Sequence, residues 1–210
     1  IQDFRKAYLQ AALDAKAIGF DGVAIHAAHG YLLSSSLSPR INNRKDKWGG
    51  SFENRARLLQ LILQKVRESV GNNFILAVKI NSSDFQKGGL EISDSVKIAN
   101  LIEKENIDFI EVSGGNFEAP EAYQYVSLKE STKSREAYFL DAAKNIKASV
   151  SIPIMVTGGF RSISVMEDAL TSSSTDLIGI GRPFVIDPSF PYKLLNGDIS
   201  VLPAVERNFP

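Results

Sequence analysis

Both histidines of this 210-residue chain fall in one short stretch, IHAAHGYLL, as His26 and His29, and Tyr31 follows two positions later. Two neutral imidazoles so close together can aim N–H donors at a single oxygen, which makes a side-chain oxyanion hole. On a helical turn, residues three apart face the same side, and this is the local geometry expected for the pair. Two other uses stay open. One is a metal site, although the chain offers no His-Glu-x-x-His, no cysteine and no third histidine. The other is plain capping of a strand end. Tyr31 carries a phenolic proton that it can donate to a nearby acceptor, or it packs at the rim of the fold.

Lys79 is the second anomaly, because it interrupts the apolar run FILAVKI. An unpaired ammonium inside a sheet is strongly disfavoured, so a partner is expected. Glu111, at the comparable place in DFIEVS, would make a structural ion pair, and a ligand that becomes anionic during turnover would serve as well. Two glycine-rich turns, VTGGF with Gly158 and Gly159 and GIGRPF with Gly181 and Arg182, close the last two apolar segments. Glycine lets backbone N–H groups approach an anion, and Arg182 adds a charge-assisted contact, so together the turns suggest a phosphate-bearing ligand. Alone, either turn is explained by chain reversal. Asp46 and Asp84 are expected to be solvated loop acids or helix-start residues.

These residues need a scaffold. Phe4, Ala7, Tyr8, Ala11, Ala12, Ala15 and Ile18 recur at spacings of three and four, which predicts a helix ending at Gly19. Strands are predicted at 22–25, 74–80, 108–113, 152–157 and 176–180, alternating with helices at 52–70, 92–105, 136–148 and 163–170, with an excursion rich in Glu, Tyr and Ser after Ser113. Nearly continuous apolar strands suit a parallel sheet covered on both faces, hence an α/β fold. The polar and glycine clusters all lie at C-terminal strand ends, which favours a (β/α)₈ TIM barrel over an open sheet with one switch point. Only about the last five β/α units fit in the chain. Residues 1–210 are therefore expected to be a single domain, the C-terminal portion of a barrel whose first three strands lie upstream.

With 24 Lys+Arg and 24 Asp+Glu the net charge is zero, which gives no argument for nucleic acid or a membrane surface and leaves a small-molecule partner as the expectation. No apolar run is long enough to span a bilayer. The absence of cysteine fits a reducing compartment, so a cytoplasmic location is expected. Open barrel edges would invite homo-oligomerisation or other association.

The segment FDGVAIHAAHGYLLSSSLSPRINNRKDKWGGSFENRARLL closely resembles the signature of the old yellow enzyme family, the FMN-dependent NADH:flavin oxidoreductases and ene-reductases. The resemblance continues through VKINSSDFQKGG, FIEVSGG, IPIMVTGGF and DLIGIGRPFVIDP, and so covers nearly the whole chain. It implies a barrel with FMN on its C-terminal face, reduced by NADH or NADPH, that reduces the activated C=C bond of α,β-unsaturated carbonyl compounds. His26 and His29 match the pair that binds the carbonyl or phenolic oxygen of the ligand, and Tyr31 matches the family's proton donor. Lys79 matches the cation at the flavin N1/O2 edge, and Gly158, Gly159, Gly181 and Arg182 match the segments that hold the FMN phosphate. Three places in the sequence depart from the family pattern. Ser34-Ser35-Ser36 stands where Asn-Gln-Phe is common and Trp48 where tyrosine is common, both expected to alter a loop or interface; Lys79 stands for arginine, keeping the charge but losing the planar fork, with an expected effect on flavin affinity or potential. An NAD(P)H oxidase or quinone reductase without a dedicated enone, and a catalytically silent barrel fragment, are the alternative expectations.

Overall fold

The computed structural model of the chain describes residues 1–116 and 136–202. The predicted excursion after Ser113 falls largely outside these residues. In chain order the elements are α1 (Gln2–Ala17), β1 (Gly22–Ala27), α2 (Leu32–Leu37), α3 (Phe52–Val70), β2 (Ile75–Asn81), α4 (Ile92–Glu103), β3 (Phe109–Ser113), α5 (Leu140–Lys147), β4 (Ile154–Thr157), α6 (Ile163–Thr171), β5 (Leu177–Gly179), α7 (Arg182–Ile186) and α8 (Phe190–Leu195). All five predicted strands form, and they pair in parallel in the order β1-β2-β3-β4-β5.

Register explains why the strand sequences look as they do. Val78, Ile80, Ile110, Val112, Ile154 and Val156 share one face and are fully buried under the helices. The other face carries a row in which His26 lies opposite Lys79, Lys79 opposite Glu111, Glu111 opposite Met155 and Met155 opposite Leu177. This corrects the expectation of two covered faces, because Ile75 and Leu177 on the second face remain 46% and 43% exposed. Side-chain layers from five strands fill only part of the space that a closed barrel fills with eight. His26, Lys79 and Glu111, the polar residues of this row, stand side by side near the C-terminal ends of β1, β2 and β3.

One predicted helix differs in extent, and three short helices are additional. The helix expected from 136 begins instead at Leu140, since Glu136 turns back to accept from the amides of Arg161 and Ser162 at 2.9 and 2.8 Å and from the Ser162 hydroxyl at 2.7 Å. Satisfying three donors at the start of α6 competes with one more turn of α5, and Ala137 takes a left-handed φ of 54° to allow it. The helices α2, α7 and α8, of 6, 5 and 6 residues, have no counterpart in the sequence reading. Such lengths are too short to show a helical period. Ser34-Ser35-Ser36 thus lies in α2 rather than in a loop.

Candidate active site

His26 is the penultimate residue of β1, in the row opposite Lys79, and His29 follows in a turn with φ of 63°. The two are not on a helical turn, which corrects the local geometry expected for them. A strand tip followed by a left-handed residue nonetheless brings the rings together, with centroids 5.2 Å apart at 64°. Tyr31, half-exposed at the N-terminus of α2, places its ring 5.2 Å from that of His26.

Left-handed backbone is costly for a residue with a side chain, so something must hold His29 there. Asn81, at the tip of β2, accepts from the His29 amide at 3.0 Å and donates to Asp84 Oδ1 at 2.9 Å and to the Gly115 carbonyl at 3.2 Å. Asp84 Oδ2 in turn accepts from the Ser38 hydroxyl at 2.7 Å and the Leu90 amide at 2.9 Å. Asp84 is only 2% exposed, so it is a buried structural acceptor and not the solvated acid expected. Asp46 does stay exposed, paired with Arg44.

Electrostatics keeps the histidine pair neutral. Burial, with Lys79 adding to it, pushes the His26 ring below its ordinary value. Burial, Lys79 and His26 together bring His29 down to about 4, against the opposing pull of Glu111. At neutral pH each ring then carries one N–H, as a pair of hydrogen-bond donors requires. Because the folded state holds His29 neutral while the unfolded chain protonates at 6.5, its contribution to stability is complete above pH 6.5 and is lost as pH falls toward 4. With only 2 histidines in the chain the check is direct: NMR titration of the ring C–H resonances should give a midpoint near 4 for one and below 6.5 for the other. Two midpoints at the ordinary value would show both rings to be solvated.

Lys79 finds the partner expected of it: its Nζ lies 2.8 Å from Glu111 Oε1, with both side chains largely buried. It also lines a cavity of about 200 Å³ at the C-terminal strand ends. Six of the eight sequence-predicted site residues line this cavity, namely His29, Lys79, Gly158, Gly159, Gly181 and Arg182. His26 and Tyr31 stand beside it through their ring contacts. Ser113 and Thr157, which the sequence places in strand-end clusters without a role of their own, also line it, and so do Phe139 and Arg161, which sequence reasoning missed. Of these, Arg161 could have been found, since it follows VTGGF directly and mirrors the position of Arg182 after its own glycines.

The glycines do not all have the same reason to be there. A Cβ at Gly158 would lie 2.6 Å from the Phe139 ring, and one at Gly159 would lie 2.8 Å from the Tyr138 ring, with positive φ values of 147° and 83°. Packing alone accounts for both. At Gly181 a Cβ would meet no atom within 4 Å, so a side chain there would enter cavity space and packing supplies no reason for its absence. The Thr157 hydroxyl, also in the cavity wall, is buried with no hydrogen-bond partner among the described residues. Among those residues no group of three or more His, Cys, Asp or Glu side chains could hold a metal ion, and no helix is long and apolar enough to cross a membrane.

Comparison with known proteins gives a consistent result. Residues 1–198 match the family described as NADH:flavin oxidoreductase / NADH oxidase. The NADH-dependent flavin oxidoreductase nadA of Aspergillus parasiticus is 37% identical over 195 residues, which is 90% of this chain and 43% of that protein. Among solved structures, 2-naphthoyl-CoA reductase in complex with 2-naphthoyl-CoA superimposes with a TM-score of 0.85 at 32% identity, covering 96% of this chain and 30% of that one. The old yellow enzyme homologue from Zymomonas mobilis superimposes with a TM-score of 0.75 at 24% identity, covering 98% and 54%. The chain spans less than half the length of the curated relative and about half or less of each structure.

Proposed function

This chain belongs to the NADH:flavin oxidoreductase / NADH oxidase family, and on that premise we propose that the full-length protein is an FMN-dependent oxidoreductase that takes hydride from NADH or NADPH and reduces activated alkenes. Its five parallel β/α units are part of the TIM barrel of the old yellow enzymes. The observation that carries the reading is the cavity at the strand tips, where a lysine, two arginines and four glycines meet around a threonine hydroxyl that has no hydrogen-bond partner among the described residues.

Those residues fit a flavin mononucleotide. Gly158, Gly159, Gly181 and Arg182 would hold its phosphate, with Arg161 as a second cation, because cations and glycine turns suit a dianion with several acceptor oxygens. Open space above Gly181 and the orphaned Thr157 hydroxyl are what such a ligand would fill. Lys79 would face the N1/O2 edge, its charge already balanced by Glu111. Bound FMN would supply the hydride chemistry, accepting from the nicotinamide and delivering to the β-carbon of an α,β-unsaturated carbonyl.

The chain's own residues supply the rest. His26 and His29 hydrogen-bond the carbonyl oxygen of the alkene, and the bonds strengthen as enolate charge develops on it, so they stabilise the transition state more than the ground state. Tyr31 gives its phenolic proton to the α-carbon. Partners are small molecules, and zero net charge with no cysteine supports a cytoplasmic site of action. Anaerobic stopped-flow mixing tests the substrate class: the protein reduced with NADH or NADPH should be reoxidised by an enone. Reoxidation by oxygen or quinones with no response to enones would replace this reading with that of a flavin oxidase or quinone reductase.

A further inference from the structure

Ser113, at the tip of β3, has no role in the sequence reading, yet its hydroxyl lies 2.9 Å from His29 Nε2. It is 6% exposed, and this is the one hydrogen bond of its side chain among the described residues. A hydroxyl holds one proton, and a buried donor without an acceptor is expensive, so the bond has a preferred direction. If Nε2 carried the hydrogen of the imidazole, Ser113 would accept and its own buried proton would be left without a partner. If Ser113 donates, Nε2 is the acceptor and the ring proton sits on Nδ1.

The opposite holds for His26. Its Nδ1 is buried with no partner among the described residues, and a bare lone pair there costs less than an orphaned N–H. Its proton therefore belongs on Nε2. We propose that Ser113 is a positioning residue that locks His29 as the Nδ1–H tautomer, so that the pair presents His26 Nε2–H and His29 Nδ1–H as its two donors. The neutral state of both rings makes the tautomer the remaining variable, since an imidazolium would donate from both nitrogens. The catalytic part of this inference rests on the enone-reductase reading above; the tautomer itself does not.

The test uses the full-length protein with FMN bound and its histidines labelled with nitrogen-15. Long-range proton–nitrogen correlation distinguishes a protonated from a bare ring nitrogen, and in the wild type it should show His29 protonated at Nδ1 and His26 at Nε2. Ser113→Ala should shift His29 toward the Nε2–H form, slow reoxidation of the prereduced protein by enone about tenfold, the value of one hydrogen bond, and raise the enone KM, with FMN content unchanged. Ser113→Thr, which keeps the hydroxyl, should restore the spectrum, the rate and KM. A merely structural role for Ser113 would disturb folding or FMN content without exchanging the protonated nitrogen. Protonation of His29 at Nε2 in the wild type would overturn the proposal, as would a Ser113→Ala variant with an unchanged tautomer. If the wild type shows the expected tautomers but no enone is reduced, the tautomer assignment stands and the enone reading falls.

Discussion

Replacing His26 with alanine should slow enone reduction by the prereduced full-length protein by about a hundredfold, a loss of roughly 3 kcal/mol in transition-state stabilisation. The size follows from removing one preorganised donor from a site that binds developing negative charge. It should appear as a rate effect with little damage to the fold, because His26 Nδ1 makes no hydrogen bond among the described residues and the ring is only partly buried. Rapid-mixing measurements on prereduced protein isolate the step. A variant that reoxidises with enone as fast as the wild type would remove His26 from the oxygen-binding role, whatever the position of its ring.

The largest expected effect on stability belongs to a residue far from the cavity. Arg67, near the end of α3, is 7% exposed. Its Nε donates to the Asn106 carbonyl at 2.7 Å and its Nη1 to the carbonyls of Gly71 and Phe74 at 2.8 Å each. Its Nη2 meets Asp108 Oδ2 at 2.5 Å, and that same oxygen accepts from the Leu76 amide at 2.7 Å. One guanidinium thus ties the end of α3 to the entries of β2 and β3 and fixes the register from which the strand tips project. Arg67→Ala would leave three carbonyls short of donors and remove the partner of Asp108, whose side chain is 41% exposed and screened by water; losing the buried guanidinium with its hydrogen bonds costs about 2–3 kcal/mol. Urea unfolding should show a lower midpoint at unchanged slope, with the unfolding free energy reduced by that amount. A shift under about 1 kcal/mol would mean that water replaces the guanidinium and that the register is held elsewhere.

Much of this was legible in the sequence. The span of α3 was read in full, because its apolar stripe runs for five turns between Ser51 and Gly71. The Lys79–Glu111 pair was found because a charge inside an apolar run demands a partner, and parallel strands carry equivalent positions side by side. The glycine turns were read for the same local reason. What escaped depends on contacts between distant segments. Ser113 looks like any serine at a strand end until His29 is placed against it, and Asp84 looks like a loop acid until Ser38, Asn81 and Leu90 surround it. The histidine pair was recognised for its donors but with the wrong backbone, since a strand tip and a left-handed turn leave no periodic trace.

Everything proposed for the site requires the strand tips to hold a flavin, and the flavin content of the full-length protein measures this most directly. Purified protein should be yellow, and denaturing it should release about one FMN per chain; a Gly181→Leu variant, filling cavity space where a Cβ meets nothing, should lose most of that FMN while remaining folded. Full-length protein that is folded, colourless and unable to take up added FMN would contradict the account.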